Sequence, residues 1–501
     1  EPRNQSSCHS IRRHQRHHLD HGFIVQKALV STMGGDYNGI NGLFSSIISM
    51  MSLADLGIGT AIIYHMYQPV AERDTAKINT LLHFYKKCYI VISGVVLLIG
   101  VVVGLFLPML VGDVEIPDSI YLIYALFLVD CLCSYFLAYK KSLLYADMMN
   151  YIPDTIYFVT YLVQNALQVY VLVAFHNFIL FLIVKTMGKV VSNLLISLYI
   201  SKNIPLPGKR GGTVPEEVKT DIVTKVKGLL CHKLGKMLVT GSDSIVITGI
   251  LGLGSYDLYT NYHLIIGGIT ALLNRIFETL TNSVGNFLLD SNREGNREVY
   301  RKIDFINFWC FGCVAVGMYA VLQPMVTLWL GEDFLFDKTV LFVLVVNFYM
   351  EGMRASVNTF KEAAGIFHED RRIPLVEAVV NLTVSIVLAK LMGAAGVFLG
   401  TILSSLVVYL YSYPKYVCKP LFGMGYGQYM GQTLRHLLVL LGILGMTELC
   451  IRPMAGWSPI PNLLASGTVA VILFHAVFFL LYGRSEEMKY YWMLVKNKVR
   501  K

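Results

Sequence analysis

Apolar runs long enough to cross a lipid bilayer recur from Asn38 to Tyr482, and polar connections of two alternating kinds divide them. A helix needs about 20 mostly apolar residues to span the hydrocarbon core. Runs that satisfy this are Asn38–Tyr64, Cys88–Val111, Ser119–Tyr139, Tyr151–Phe175, Phe178–Ile200, Gly228–Leu251, Leu258–Leu289, Ile303–Trp329, Thr339–Phe360, Ile373–Met392, Ala394–Tyr416, Thr433–Ile451 and Pro461–Tyr482, thirteen in all. The pattern predicts an all-α polytopic membrane protein.

The connections orient it. One set is long and basic: Gln68–Lys87, Lys140–Asn150, Lys202–Lys236, Asp290–Lys302, Lys361–Arg372 and Lys415–Gln432. The opposite set is short and neutral or acidic, as in Gly112–Ser119 and Gly331–Lys338, or the turns near His176, Ser255 and Gly393. Basic loops stay on the cytoplasmic side. The basic tail Arg484–Lys501 therefore points inward, and an odd number of spans puts the start of the first one outside. Residues 1–37 fit this poorly, since Glu1–His21 is polar and rich in His and Arg, while Phe23–Met33 is about half a span and carries Lys27. The economical expectation is the remnant of a fourteenth helix behind a truncated or frame-shifted start. A signal peptide is excluded, because no apolar core follows the basic residues.

Composition agrees with many spans: 55% of residues are hydrophobic and 15% charged, with a mean hydropathy of +0.56. The net charge of +9 sits in loops beside apolar runs and in the tail, so it reads as membrane topology rather than a nucleic-acid footprint. Nine cysteines are scattered, and Cys310-x-x-Cys313 lies inside an apolar run without a second ligand pair, so packing is the plain reading.

A weak internal repeat is present. Met33–Asn41 reads MGGDYNGIN, and Gly252–Asn261, about 219 residues later, reads GLGSYDLYTN. Both are glycine-rich turns opening a helix. The proline- and glycine-rich loop after Lys202 divides the chain between them, which predicts a helix bundle over 38–201, a linker over 202–227, a second bundle over 228–420, and a terminal helix pair with a basic tail over 421–501. Paired six-helix halves are a recognised transporter architecture.

The stretch GDYNGINGLFSSIISMMSLADLGIGTAIIYHMYQP (Gly35–Pro69) resembles the start of bacterial polysaccharide-export flippases, in the superfamily of multidrug, oligosaccharidyl-lipid and polysaccharide exporters. Asn347–Ile386 and GAAGVFLGT (Gly393–Thr401) continue the similarity, which runs from about Phe23 to the tail. The resemblance implies two six-helix bundles around a central cavity plus a terminal pair, and a lipid-linked oligosaccharide as substrate. It also implies a bacterial plasma membrane location with membrane lipids, polysaccharide polymerases and glycosyltransferases as neighbours, and no nucleic acid or cofactor. The expected first helix is where this chain departs from the family.

A polyprenyl-pyrophosphate head group asks for cations in a polar cavity, and charges inside a span are costly enough to be few. Lys185, Lys189, Asn193 and Ser197 fall four apart on one helix face. They suit phosphate attraction, or pairing with Asp130 or Asp55. Asn274, Arg275 and Glu278 belong to a second polar stripe, in which Arg275 and Glu278 either pair with each other or leave the guanidinium to grip phosphate. A third stripe is Asn347, Glu351, Arg354, Asn358 and Lys361. A milder one is Asn41, Ser45, Ser49, Ser52 and Asp55, which helix packing alone would explain. Together they predict Lys185, Lys189, Arg275, Arg354, Asn274 and Asn358 as substrate contacts, with Asp55, Asp130, Glu278 and Glu351 as candidates for coupling to H⁺ or Na⁺. Asp243 is a weaker coupling candidate.

No nucleotide cradle or metal-binding cluster is visible. His232, His263 and His368 have no orienting partner by spacing, and the outer connections are short for a catalytic loop. The reading is therefore a non-enzymatic flippase working by alternating access. A lipid II or small-molecule drug exporter of the same superfamily is the near alternative, and a membrane polymerase or transferase the remote one.

Overall fold

The computed structural model describes residues 23–499 apart from 52–64, 67–68, 71, 112–115, 136, 148, 150, 205–213, 221–237, 240 and 367–368. Asp55, Ser52, His232 and His368 lie outside the described residues, as do most of the expected linker and the first half of the expected Gly228–Leu251 span.

Among the described residues every regular element is helical. Leaving aside short helical turns such as Leu107–Val111 and Lys141–Ala146, the helices in chain order are α1 (Phe23–Met33), α2 (Gly35–Met51), α3 (Thr75–Gly104), α4 (Ile120–Tyr135), α5 (Tyr151–Phe175), α6 (Phe178–Asn203), α7 (Gly241–Leu251), α8 (Leu253–Asp290), α9 (Arg293–Trp329), α10 (Lys338–Ala363), α11 (Ile373–Met392), α12 (Ala394–Phe422), α13 (Tyr426–Ile451), α14 (Pro459–Tyr482) and α15 (Glu486–Val499). Ten of them are long and apolar enough to cross a membrane. The expected span Asn38–Tyr64 is described only as far as Met51, in α2. The expected Ser119–Tyr139 run stops at Tyr135, and Leu137 then takes a left-handed φ of +59° that a continuing helix does not allow.

Several helices run well past their apolar stretch. α3 begins at Thr75, where Asp74 caps it by accepting from Lys77 N at 3.0 Å, rather than near Cys88. α9 begins at Arg293, capped by Asn292, and at 37 residues is about 55 Å long. The basic residues expected in loops are thus partly the wet ends of helices, where the intrahelical ladder satisfies the backbone just as it does inside the bilayer. At the other end of the bundle Asp337 caps α10 and accepts from Thr339 N at 2.8 Å. That backbone hydrogen bond holds its carboxyl below the usual value.

The chain divides into two compact units, Glu1–Thr260 and Asn261–Lys501. In the first, α2 meets α7 and the opening turns of α8 at close range. A Cβ on Gly39 would lie 2.9 Å from Leu253, and one on Gly42 would lie 2.3 Å from Thr260 Oγ1. Asn38 donates to Asp257, and Gln26 to Asn38. Asn38 and Asp257 are 219 residues apart, so positions equated by the weak sequence repeat are in direct contact. Segment 241–260, expected in the second bundle, makes these contacts with the first unit.

In the second unit α9 and α10 form the centre, each with 61% of its apolar window buried against protein. α11 and α12 pack as a tight antiparallel hairpin turning at Gly393, whose φ of +62° favours glycine. Gly396 then sits so close that a Cβ would lie 2.0 Å from the Leu388 carbonyl oxygen. α12 widens to a π-helix over Val408–Cys418, spanning Pro414, which has no N–H to give.

Backbone cannot yield as a side-chain tip can. Gly396→Ala should therefore destabilise the second unit by about 1–3 kcal/mol. Gly445→Ala, where nothing lies within 4 Å of the new methyl, should be neutral or slightly stabilising. Thermal unfolding of the two purified variants in detergent measures the difference.

Candidate functional site

In the first unit the polar line on α6 lies along α4. Lys185 Nζ stands 4.5 Å from the centre of the Phe127 ring. Four residues on, Lys189 Nζ binds Asp130 Oδ2 at 2.5 Å. Asn193 Nδ2 donates to the Cys133 and Ser134 carbonyls at 3.3 and 3.4 Å. Ser197 Oγ receives Lys140 Nζ at 2.6 Å. Contacts advance together along both segments, so α4 and α6 run in the same direction, as expected for two spans separated by one other. The line is a polar seam between helices, and Lys189 has the carboxylate partner that the spacing left open.

Charge does not cancel in this seam. Lys185 and Lys189 share one described carboxylate, Asp130, whose side chain is 7% exposed. Among the described residues Lys185 enters no ion pair, and its cation rests on an aromatic face instead. The group thus carries one positive charge in excess.

The second unit has the opposite imbalance. On α10, Arg354 forks onto Glu377 of α11, with Nη1–Oε1 at 2.7 Å and Nη2–Oε2 at 3.1 Å. Nη1 also reaches Glu351 Oε1 at 3.0 Å, and Nε donates to Tyr413 Oη at 3.4 Å. Tyr413 Oη in turn donates to Asn358 Oδ1 at 2.8 Å. One guanidinium thus serves two carboxylates, Glu377 with 5% of its side chain exposed and Glu351 with 40%. Next to it Lys361 pairs with Asp370, which also accepts from Ser412 Oγ at 3.0 Å.

Glu351, Arg354 and Asn358 of the stripe are thus joined through Glu377 and Tyr413, and Lys361 makes its own pair one turn on. The decisive partners were not evident from periodicity. Glu377 looked like an ordinary residue of an apolar helix, and its one signal was being the sole carboxylate inside Ile373–Met392. Tyr413 and Ser412 are aimed inward by the π-helical widening of α12, which no sequence spacing announces.

Arg275 and Glu278 on α8 pair at 3.0 Å, with 63% and 57% of their side chains exposed, and Asn274 is half-buried beside them. Asp243 is buried in α7. Among the described residues no group of three or more His, Cys, Asp or Glu side chains is placed to hold a metal ion.

No protein-family model matches the chain, and no curated protein matches its sequence. Solved structures do match its fold. A lipid II flippase, MurJ, in an inward closed conformation superposes with a TM-score of 0.64 at 12% identity, over 93% of this chain and 98% of that one. The chain has the fold of the MOP-superfamily transporters. An inward-facing multidrug-resistance MATE transporter of that superfamily superposes with a TM-score of 0.59 at 13% identity, over 82% of this chain and 94% of that one. At such identities the likeness concerns the MOP-type fold alone. With ten apolar spans among the described residues, it makes the chain a multi-pass membrane protein.

Breaking a buried pair from one side leaves the other charge stranded. Glu377→Ala should destabilise the protein by about 3–5 kcal/mol. Glu351→Gln, at a wetter position, should cost under about 1 kcal/mol. Unfolding midpoints of the two variants against the parent give the ratio directly, and equal costs would mean that Glu377 is not the principal anchor of Arg354.

Proposed function

We propose that this protein is a flippase that carries a polyprenyl-pyrophosphate-linked oligosaccharide across the bacterial plasma membrane by alternating access, with its C-terminus in the cytoplasm. Support for a lipid-linked saccharide comes from the polysaccharide-exporter resemblance of Gly35–Pro69 and Asn347–Ile386. The MOP-type fold, common to a lipid II flippase and drug exporters, supports translocation as the mode of action.

The observation that carries the reading is that, among the described residues, Lys185 enters no ion pair and sets its cation against the Phe127 ring. A cation inside a span without a carboxylate partner is costly unless something anionic visits it. A pyrophosphate supplies that charge. Arg275 is the second contact, because its pair with Glu278 is exposed and gives up little when the guanidinium turns to a phosphate. Asn274 is the neutral polar partner beside it. Lys189 and Arg354 hold carboxylates in this conformation, each within its own unit, and Asn358 orients Tyr413 against Arg354.

Coupling follows from the opposite imbalance. Glu351 and Glu377 share one arginine, and the surplus negative charge suits binding of H⁺ or Na⁺ as the transporter changes state. Among the coupling candidates, Glu351 is placed best. Asp130 and Glu278 each have a cation of their own, Lys189 and Arg275, whereas Glu351 shares one with Glu377.

The test is flipping of fluorescent polyprenyl-pyrophosphate oligosaccharide in proteoliposomes. Lys185→Ala and Arg275→Ala should each lower the initial rate about tenfold or more while unfolding midpoints stay near the parent, the loss of one charge-assisted phosphate contact being of this order. Retained flipping in both variants would overturn the cationic contacts. Transport of lipid II or of a cationic drug, with none of the oligosaccharide lipid, would assign the chain to one of the alternative exporters.

A further inference from the structure

Apart from the polar stripes, α9, α10 and α13 converge on one buried carboxylate. Asp304 on α9 is 4% exposed. Its Oδ1 accepts from Ser356 Oγ at 2.8 Å, and its Oδ2 accepts from Gln432 Nε2 at 2.6 Å. His436, one turn beyond Gln432 and 3% exposed, places Nδ1 3.6 Å from Oδ2. The ring is clamped there. It stacks on Phe308 with centroids 4.4 Å apart and planes 11° apart, and its edge meets Tyr482 of α14 at 5.9 Å.

Both oxygens of Asp304 act as acceptors, the arrangement of an ionised carboxylate. Among the described residues no lysine or arginine pairs with it, and a carboxylate this deep needs a counter-charge. His436 is the group in position to provide one. Its Nδ1 has no hydrogen-bond partner, and at 3.6 Å it is slightly too far for a hydrogen bond to Oδ2. A neutral ring presenting its lone pair would face acceptor to acceptor. A neutral ring carrying its hydrogen on Nδ1 removes that conflict, but only an added proton, on the ring or on the carboxylate, also cancels the buried charge.

We propose that Asp304 and His436 form a proton-binding site that holds one exchangeable proton between them and, while loaded, ties α13 and α14 to α9. The remaining groups facing the site do not supply or compete for that charge near neutral pH. From α9, α10, α12 and α14 they are the phenols of Tyr300, Tyr349, Tyr409 and Tyr482 and the thiol of Cys418. The charged neighbours of His436 are Arg435 on its own helix and Glu487 on α15, of opposite sign. Glu487 also faces Arg301 at 3.7 Å at the partly exposed end of α9.

The sign is fixed by linkage. In the unfolded chain Asp and His titrate near about 4 and 6.5. Between these values both states hold one proton and stability is level. Above about 6.5 the unfolded chain releases its proton while the loaded site keeps it. Stability therefore falls as pH rises, with the unfolding constant growing up to about tenfold per pH unit until the site empties.

The experiment is unfolding of the full chain in detergent between about pH 5.5 and 9, for the parent, Asp304→Asn and His436→Gln. The parent should lose stability above about pH 6.5, and Asp304→Asn, which needs no counter-charge, should show a flatter profile. Parallel profiles in parent and Asp304→Asn would overturn the proposal. Should Asp304→Asn fail to fold, infrared spectra of His436→Gln decide, because Asp304 must then carry the proton itself. A protonated-carboxyl band at neutral pH that converts to carboxylate as pH rises supports the site. A spectrum unchanged with pH rejects it. Neither readout depends on the transported substrate, so the proposal can fail while the flippase reading stands.

Discussion

Inside a bilayer there is no water to satisfy a polar group, and every part of this structure answers to that constraint. The backbone meets it with helices throughout. Side chains meet it by pairing across neighbouring helices, and the places where pairing is incomplete are the places with chemistry. Lys185 has a ring where a carboxylate would be expected, Glu351 and Glu377 have one arginine between them, and Asp304 has a histidine just out of hydrogen-bond reach.

The imbalances differ in kind between the two units. The first carries a surplus cation on a seam where α4 and α6 run side by side. The second carries surplus carboxylate around the buried helices α9 and α10, with small residues such as Gly352 and Gly396 letting backbones close in. On the proposed function, an anionic cargo and a cationic coupling ion are the two visitors for such a pattern, since alternating access needs states that differ in what they bind. The terminal helices α13 and α14 join this logic through Asp304, Gln432 and His436 rather than serving as a mere apolar appendage.

Much of the site was legible residue by residue, though not partner by partner. The spacing of Lys185 and Lys189 predicted a shared face, and both do lie along α4. Arg354 and Glu351 fall on one stripe by spacing, but Glu377, the stronger anchor, comes from the next helix, and no periodicity links positions on different helices. Tyr413 was hidden because a π-helix changes which residues face inward. Asp304 and His436 are 132 residues apart, each near the start of an expected apolar run, and nothing in the sequence links them.

What the sequence determined by itself is the class of molecule: hydropathy alone marks a many-span membrane protein, because the cost of an apolar or polar residue in lipid is a local property. The ten described spans all correspond to runs read from the chain, with ends displaced wherever a helix continues into water. Tertiary structure alone decided which charges are answered. Whether a buried charge is neutralised depends on a second group within a few ångströms, and that group is brought there by packing between segments far apart in sequence.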